Sequence, residues 1–284
     1  MLRLNELRLT LLIVLLGVPV HLVGLLAPQI YRDPALLLPQ NLGTDVVTLC
    51  VAIPLLGIAA GAMRIGSLRA RLLWLGAMGY LVYAYGMYAL GVRWNPLFLV
   101  YLTLFSLSFF ALVIGLLGTD AAAVRARARG APVRSVAAYL IAIAVLVSVV
   151  WLKEEMGSLL RGTVPLSVQQ FEAPTNIVHV FDLGLVLPAM VIAAVLLLRH
   201  RPWGYVLAGM LLVKASTIGL WVAVMIWFSA RAGIATPPAY TALFLALTVA
   251  GLASSWVFLK GIRRENAAIG HRYSARAIPA TRDP

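Results

Sequence analysis

Four ionisable side chains fall inside long apolar stretches of this 284-residue sequence: His21, His179, Asp182 and Lys214. Glu154 and Glu155 stand at the end of another such stretch. An ionisable group at the centre of a bilayer-spanning helix costs at least roughly 2.5–3.5 kcal/mol, so each of these calls for a partner or a use. His179 and Asp182 are three residues apart and share a helix face. That spacing suits a proton-handling couple in which the carboxylate orients the imidazole. It equally suits two metal ligands, with His21 or Glu154 as further ones. A plainer use is also open: His179 at headgroup level and Asp182 bonded to a neighbouring helix. A single His/Asp pair is far less specific than a two-histidine zinc motif, so His21, His179 and Asp182 are weak metal candidates, and no cofactor is specified.

Lys214 lies mid-stretch in Leu211-Leu212-Val213-Lys214-Ala215-Ser216-Thr217, too deep for its methylenes alone to lift the ammonium to an interface. The short turn from Arg199 to Pro202 makes the two stretches around it antiparallel neighbours. Asp182 then falls one to two turns outward of Lys214, so a buried Asp182–Lys214 pair is expected, in direct contact or through water. Tyr80, Tyr83, Tyr85 and Tyr88 crowd another stretch. Tyr80, Tyr83 and roughly Tyr88 share a face at helical period, where phenols lining a cavity would select a solute. Interfacial belting accounts for Tyr88 but not for Tyr80 near mid-span.

The elements that position these residues are helices. A hydrocarbon core about 30 Å thick needs about 20 apolar residues, and eight stretches qualify, near 9–27, 45–63, 72–92, 97–117, 135–152, 176–198, 203–229 and 238–259. The composition, 62% hydrophobic and 12% charged, excludes an ordinary soluble domain. The expected fold is therefore all-α: a polytopic membrane bundle of eight helices over 1–260, followed by a flexible cytoplasmic tail, 261–284. Gly57-x-x-x-Gly61 looks like a helix-packing site. The lone Cys50 excludes an intrachain disulfide.

Charge sets the expected orientation. Of the 23 Lys and Arg, 17 fall in the five segments that face the cytoplasm if the N-terminus does, which argues for both termini inside and for a plasma (inner) membrane location. The net charge of +13 lies in short loops beside lipid headgroups, and no nucleic-acid-binding module is present to claim it. No phosphate-binding glycine loop occurs, so energy for any transport must come from a gradient or a partner protein.

Two segments invite comparison. Pro54, Ile58-Ala59-Ala60 and Arg64 in the second span parallel Pro188, Ile192-Ala193-Ala194 and Arg199 in the sixth, with Asp45 and Asp182 near the two span starts. The matches fit two parallel four-helix repeats, halves 1–134 and 135–260, and fit coincidence equally well. Gly79 to Tyr88 with Asn95 to Tyr101, and Asp182 to Pro188 with Arg201-Pro202-Trp203-Gly204-Tyr205, resemble a group of multi-spanning bacterial integral membrane proteins with no assigned function. The likeness covers about half the chain and implies a shared fold without an activity.

Two classes of function compete. A small-solute or ion transporter, permease-like, fits the span number and polar groups gathered on the outer side: His21, His179, Asp182, Lys214, Tyr80, Tyr83 and Glu154. An intramembrane enzyme acting on a lipophilic substrate near the outer leaflet is the alternative, and the balance falls against an enzyme. A membrane sensor or assembly partner is the third. The lipid bilayer is the expected surroundings, with a small solute or ion, a second copy or a partner protein as companions.

Overall fold

A computed structural model describes residues 2–263, so the expected tail lies, past Arg263, outside the described residues. The described chain is helical, without strands. Its long helices are α1 (Leu2–Leu26), α2 (Leu38–Met63), α3 (Leu68–Leu90), α4 (Phe98–Leu117), α6 (Val133–Arg161), α8 (Ile177–Leu198), α9 (Pro202–Arg231) and α10 (Pro238–Lys260). Short helices α5 (Ala121–Arg127) and α7 (Leu166–Phe171) lie in connections. Seven helices are long and apolar enough to cross a membrane; α3 is the long helix outside that set. Its four tyrosines, three glycines and two arginines lower its hydropathy although it is 23 residues long.

Successive long helices run antiparallel. The connections 27–37, 91–97, 162–176 and 232–237 form one end, called upper here, and 64–67, 118–132 and 199–201 form the lower end. Contacts tie each end together. Asp33 accepts from the Arg93 backbone N–H, and the Arg93 guanidinium pairs with Glu172. At the lower end Arg69 donates to the carbonyls of Lys260 and Ile262.

The long helices form two closed rings of four. In the first, α1 packs on α2, α2 on α3, α3 on α4 and α4 on α1; in the second, α6, α8, α9 and α10 repeat that circuit, and α3 meets α9 at the centre. Small residues permit the closest approach, which in a lipid-embedded bundle matters more than apolar burial. A Cβ at Gly76 would lie 2.3 Å from Cβ of Val213, and one at Gly209 would lie 2.8 Å from Cδ1 of Leu72. Gly57 and Gly61, the expected packing pair, are instead exposed with nothing within 4 Å of a Cβ. They face outward alongside Ile58, Leu15, Phe110, Val149 and Val249, the apolar perimeter a bilayer would cover. Aromatic anchors mark both ends: Arg32 stacks on Trp94 and Arg231 on Trp227 above, Lys260 on Trp256 below.

Two boundaries differ from expectation, each for a local reason. Helix α2 begins at Leu38 rather than near 45, because the polar run Asn41, Gly43, Thr44 is buried against α9, where Gly43 abuts the Met225 backbone. Helix α6 continues to Arg161 past Lys153-Glu154-Glu155, ending on left-handed Gly162. The two glutamates find polar partners below the loop instead of ending the helix. Tyr88, expected at the interface, is 2% exposed.

Helices α2 and α8 each contain one wide turn, Thr48–Ala52 and Asp182–Val186. In each, the residue before the helix proline bonds five residues back: Ile53 N–H to Thr48 O and Leu187 N–H to Asp182 O. Pro54 and Pro188 lack an N–H, and their rings would crowd the carbonyl four residues earlier, which the widened turn relieves.

Candidate functional site

In the second ring, a cavity of about 570 Å³ reaches from the upper loops into the bundle. Its polar wall is built from the ends of α6 and α8 with the middle of α9. Asn176 caps α8, its Oδ1 accepting from Val178 N–H (3.0 Å) and His179 N–H (3.4 Å), while its Nδ2 donates to Ser167 Oγ (3.0 Å). That cap fixes the first turn and so the direction of His179. Nδ1 of His179 lies 2.6 Å from Glu155 Oε1. A carboxylate only accepts, so this nitrogen carries the proton. The His179 ring lies 4.5 Å from that of Trp151, whose Nε1 donates to Asp182 Oδ2 at 3.0 Å. Glu154 Oε1 accepts from Ser167 N–H at 2.8 Å.

Lys214 enters the cavity from α9, 5% exposed. Its Nζ sits 4.2 Å from the Tyr83 ring centroid, a cation–π contact with the neighbouring half of the molecule. Among the described residues it has no hydrogen-bond partner and no carboxylate oxygen within 4.0 Å. Asp182 faces the same cavity and acts on Lys214 electrostatically, without direct contact between the two. Trp151 and the Tyr83 hydroxyl bond the carboxylate, and the Tyr83 ring faces the ammonium. Apolar side chains, among them Ile143, Val147, Met190, Val222 and Phe244, make up most of the remaining lining, beside Gln40, Gln170, Ser229, Tyr240 and Thr248.

His21 is not part of this group. It belongs to a sealed cluster in the first ring centred on Asp45, both residues being 0% exposed. Asp45 Oδ1 accepts from His21 Nδ1 (2.7 Å) and Tyr88 OH (2.7 Å), and Oδ2 accepts from Tyr31 OH (2.7 Å). Burial first, and then the charge of Asp45, push the Tyr31 phenol above its ordinary range, so it stays a donor. Nε2 of His21 lies 3.3 Å from Tyr85 OH. Tyr80, expected in a cavity beside Tyr83, is buried and shares a 3.0 Å bond with Thr48. The three residues weighed as metal ligands are thus divided between clusters, and no group of three or more His, Cys, Asp or Glu among the described residues is placed to hold a metal ion.

Sequence reasoning singled out Lys214, Asp182, His179, Glu154 and Tyr83, which the structure gathers at one cavity. It passed over Trp151 and the Glu155 bond to His179. It also passed over a buried lower-end network in which Arg71 bonds Glu6 (2.6 Å), Thr119 (3.0 Å) and the Gly115 carbonyl (3.0 Å). The signal for Asp45 was present in its membership of the paralleled segments, but its place at an apparent span end hid its burial.

The two clusters stand in register. The wide turns begin at Thr48 and Asp182, 134 residues apart, and the same interval separates Pro54 from Pro188 and the start of α3 from that of α9. It also carries the pair His21–Asp45 onto Glu155–His179, acid and base exchanged, and the pair Thr48–Tyr80 onto Asp182–Lys214. At that interval Asp45 falls on His179, three residues from the Asp182 that the two aspartates suggest. Compared with protein-family models, with curated proteins and with solved structures, the chain matches none.

Proposed function

We propose that this chain is a small-solute permease-like protein of the bacterial inner membrane, with eight crossings in two parallel four-helix halves and the charged cavity as its solute site. Support for the eighth crossing comes from α3, whose 23 residues span about 34 Å between seven apolar helices. Support for the halves comes from the shared register and the two matching rings. The excess of arginine in the lower connections favours the lower end, and with it both termini, in the cytoplasm; the resemblance to multi-spanning bacterial proteins favours the same setting.

The observation that carries the solute site is Lys214: a nearly buried ammonium at the wall of a large cavity with no oxygen to bind. A buried cation without a partner is costly, and a ligand supplying an anionic group removes that cost. Helix α6 favours a permease over an intramembrane enzyme. Ser135 lines a hollow open at the lower end, beside Arg134 and His200, and Tyr139, one turn on, lines the upper cavity. Tyr139 OH donates to the Leu247 carbonyl at 2.8 Å, a bolt across the thinnest part of the barrier.

The test uses Ala215→Cys, at the cavity, in a Cys50→Ala background. An impermeant maleimide should modify it from outside in right-side-out vesicles and not from inside. Adding Tyr139→Phe should raise modification in inside-out vesicles. Continued protection from inside would show that the two hollows are not one pathway, and the intramembrane enzyme would replace the permease.

A further inference from the structure

We infer that the ligand of the cavity is a zwitterion with an apolar body, its anionic group on Lys214 and its ammonium against Asp182 and Glu154. The inference deepens the proposed function and rests on reading the cavity as a ligand site. It starts from the difference between the two halves. In the first, the groups gathered on Asp45 and Thr48 are bonded to one another: His21 to Asp45, Thr48 to Tyr80, Tyr31 and Tyr88 to Asp45. His21, Asp45 and Thr48 are 0% exposed, so they present no open face to a ligand. In the second half the corresponding positions are charged and incompletely matched.

The mismatch has a definite form. His179 and Glu155 satisfy each other. Lys214 has a ring beneath it but no oxygen. Asp182 bonds Trp151 through Oδ2 and also meets the Tyr83 hydroxyl, while Glu154 spends Oε1 on a backbone N–H and has no bond to its second oxygen among the described residues. One ammonium and two carboxylates thus line one cavity, and a simple anion would answer only the first while adding repulsion to the other two. A simple cation would leave Lys214 alone and repelled. A molecule bearing both charges answers all three. Most of the remaining lining, Ile143, Val147, Val222 and Phe244 among it, is apolar and suits an apolar substituent. Two sources offer this chemistry: a free amino acid with a large apolar side chain, and the headgroup of an aminophospholipid.

Three probes with the same apolar body separate the charges: phenylalanine, 3-phenylpropionate and phenethylamine, titrated calorimetrically onto purified protein in phosphatidylglycerol nanodiscs. Phenylalanine should bind at least tenfold more tightly than either analogue, and Lys214→Met and Asp182→Asn should each abolish that advantage. If nanodiscs containing phosphatidylethanolamine suppress phenylalanine binding, the site takes the lipid headgroup and the zwitterion assignment stands. An analogue binding as tightly as phenylalanine overturns the inference. So does the absence of binding by all three probes with no phosphatidylethanolamine retained on purification. Because binding is read without flux, failure of the permease reading shows separately, as binding that persists when Tyr139→Phe opens no path to the inner side.

Discussion

Replacing Asp45 by Asn should unfold the first half, whereas the corresponding change at Asp182 should leave the protein standing. Asp45 accepts three bonds of 2.7 Å from His21, Tyr31 and Tyr88 and is 0% exposed. An amide keeps one acceptor oxygen, presents an NH2 to Tyr31, and removes the charge facing His21. Breaking a buried charged pair from one side costs about 3–5 kcal/mol, much of it for the group left behind. Asp182 lines a cavity, accepting from Trp151 at 3.0 Å and meeting the Tyr83 hydroxyl; an amide keeps one acceptor oxygen there, so Asp182→Asn should cost about 1 kcal/mol, the net worth of a single hydrogen bond. Denaturant unfolding in detergent micelles, followed by tryptophan fluorescence, measures both. His21→Leu/Asp45→Leu with the two single variants should give a coupling energy of about 2–3 kcal/mol. Equal losses for Asp45→Asn and Asp182→Asn, or an Asp45→Asn loss below about 1 kcal/mol, would refute the division into a sealed structural cluster and an open site.

Gly24→Ala places a Cβ 2.2 Å from Asp45 Oδ2 and 2.4 Å from Tyr31 OH, so it should cost about 1–3 kcal/mol by overpacking; Gly57→Ala meets nothing within 4 Å and should be neutral or stabilising by up to about 1 kcal/mol through helix propensity. Thermal unfolding of the two variants in one detergent checks the contrast. Arg71→Met leaves Glu6 buried without its 2.6 Å partner and should cost about 3–5 kcal/mol, with Glu6→Gln added in the double variant restoring part of it. A Lys214→Met/Asp182→Asn cycle should give a coupling below about 1 kcal/mol, since the two groups do not touch; a value near 3 kcal/mol would mean a direct pair. For orientation, Thr163→Cys should react with an impermeant reagent on intact cells and His200→Cys should not; the reverse pattern overturns the assignment of the lower end to the cytoplasm.

The helices were legible because runs of about 20 apolar residues have few alternatives to a membrane-spanning helix. Lys214 was legible for the same reason: a charge in the middle of such a run stands out against its surroundings. Asp45 and Glu155 were not, because hydropathy reads polar neighbours as loop. Gln40, Asn41 and Thr44 are polar yet lie in a helix packed on α9, and Lys153-Glu154-Glu155 reads as a span end although α6 continues for six more residues. Pairing was the other hidden quantity. Which histidine meets which carboxylate depends on how the helices close into rings, and the sequence placed His21 with His179 although each has its own acid on a neighbouring helix. The paralleled segments were visible, and their prolines already stand 134 residues apart, as the two wide turns do; that interval sets Asp45 against His179 where the eye aligns aspartate with aspartate.

The central claim is that one half of the molecule is open where the other is closed. Ile218 lines the cavity, and Ala84, its counterpart 134 residues earlier, is 3% exposed inside the first half. Cysteines at these two positions, in a Cys50→Ala background, can be titrated with a small impermeant thiol reagent on right-side-out vesicles. Ile218→Cys should be modified at least tenfold faster than Ala84→Cys, with phenylalanine slowing the former. Equal rates at the two positions, or protection of both, would contradict it.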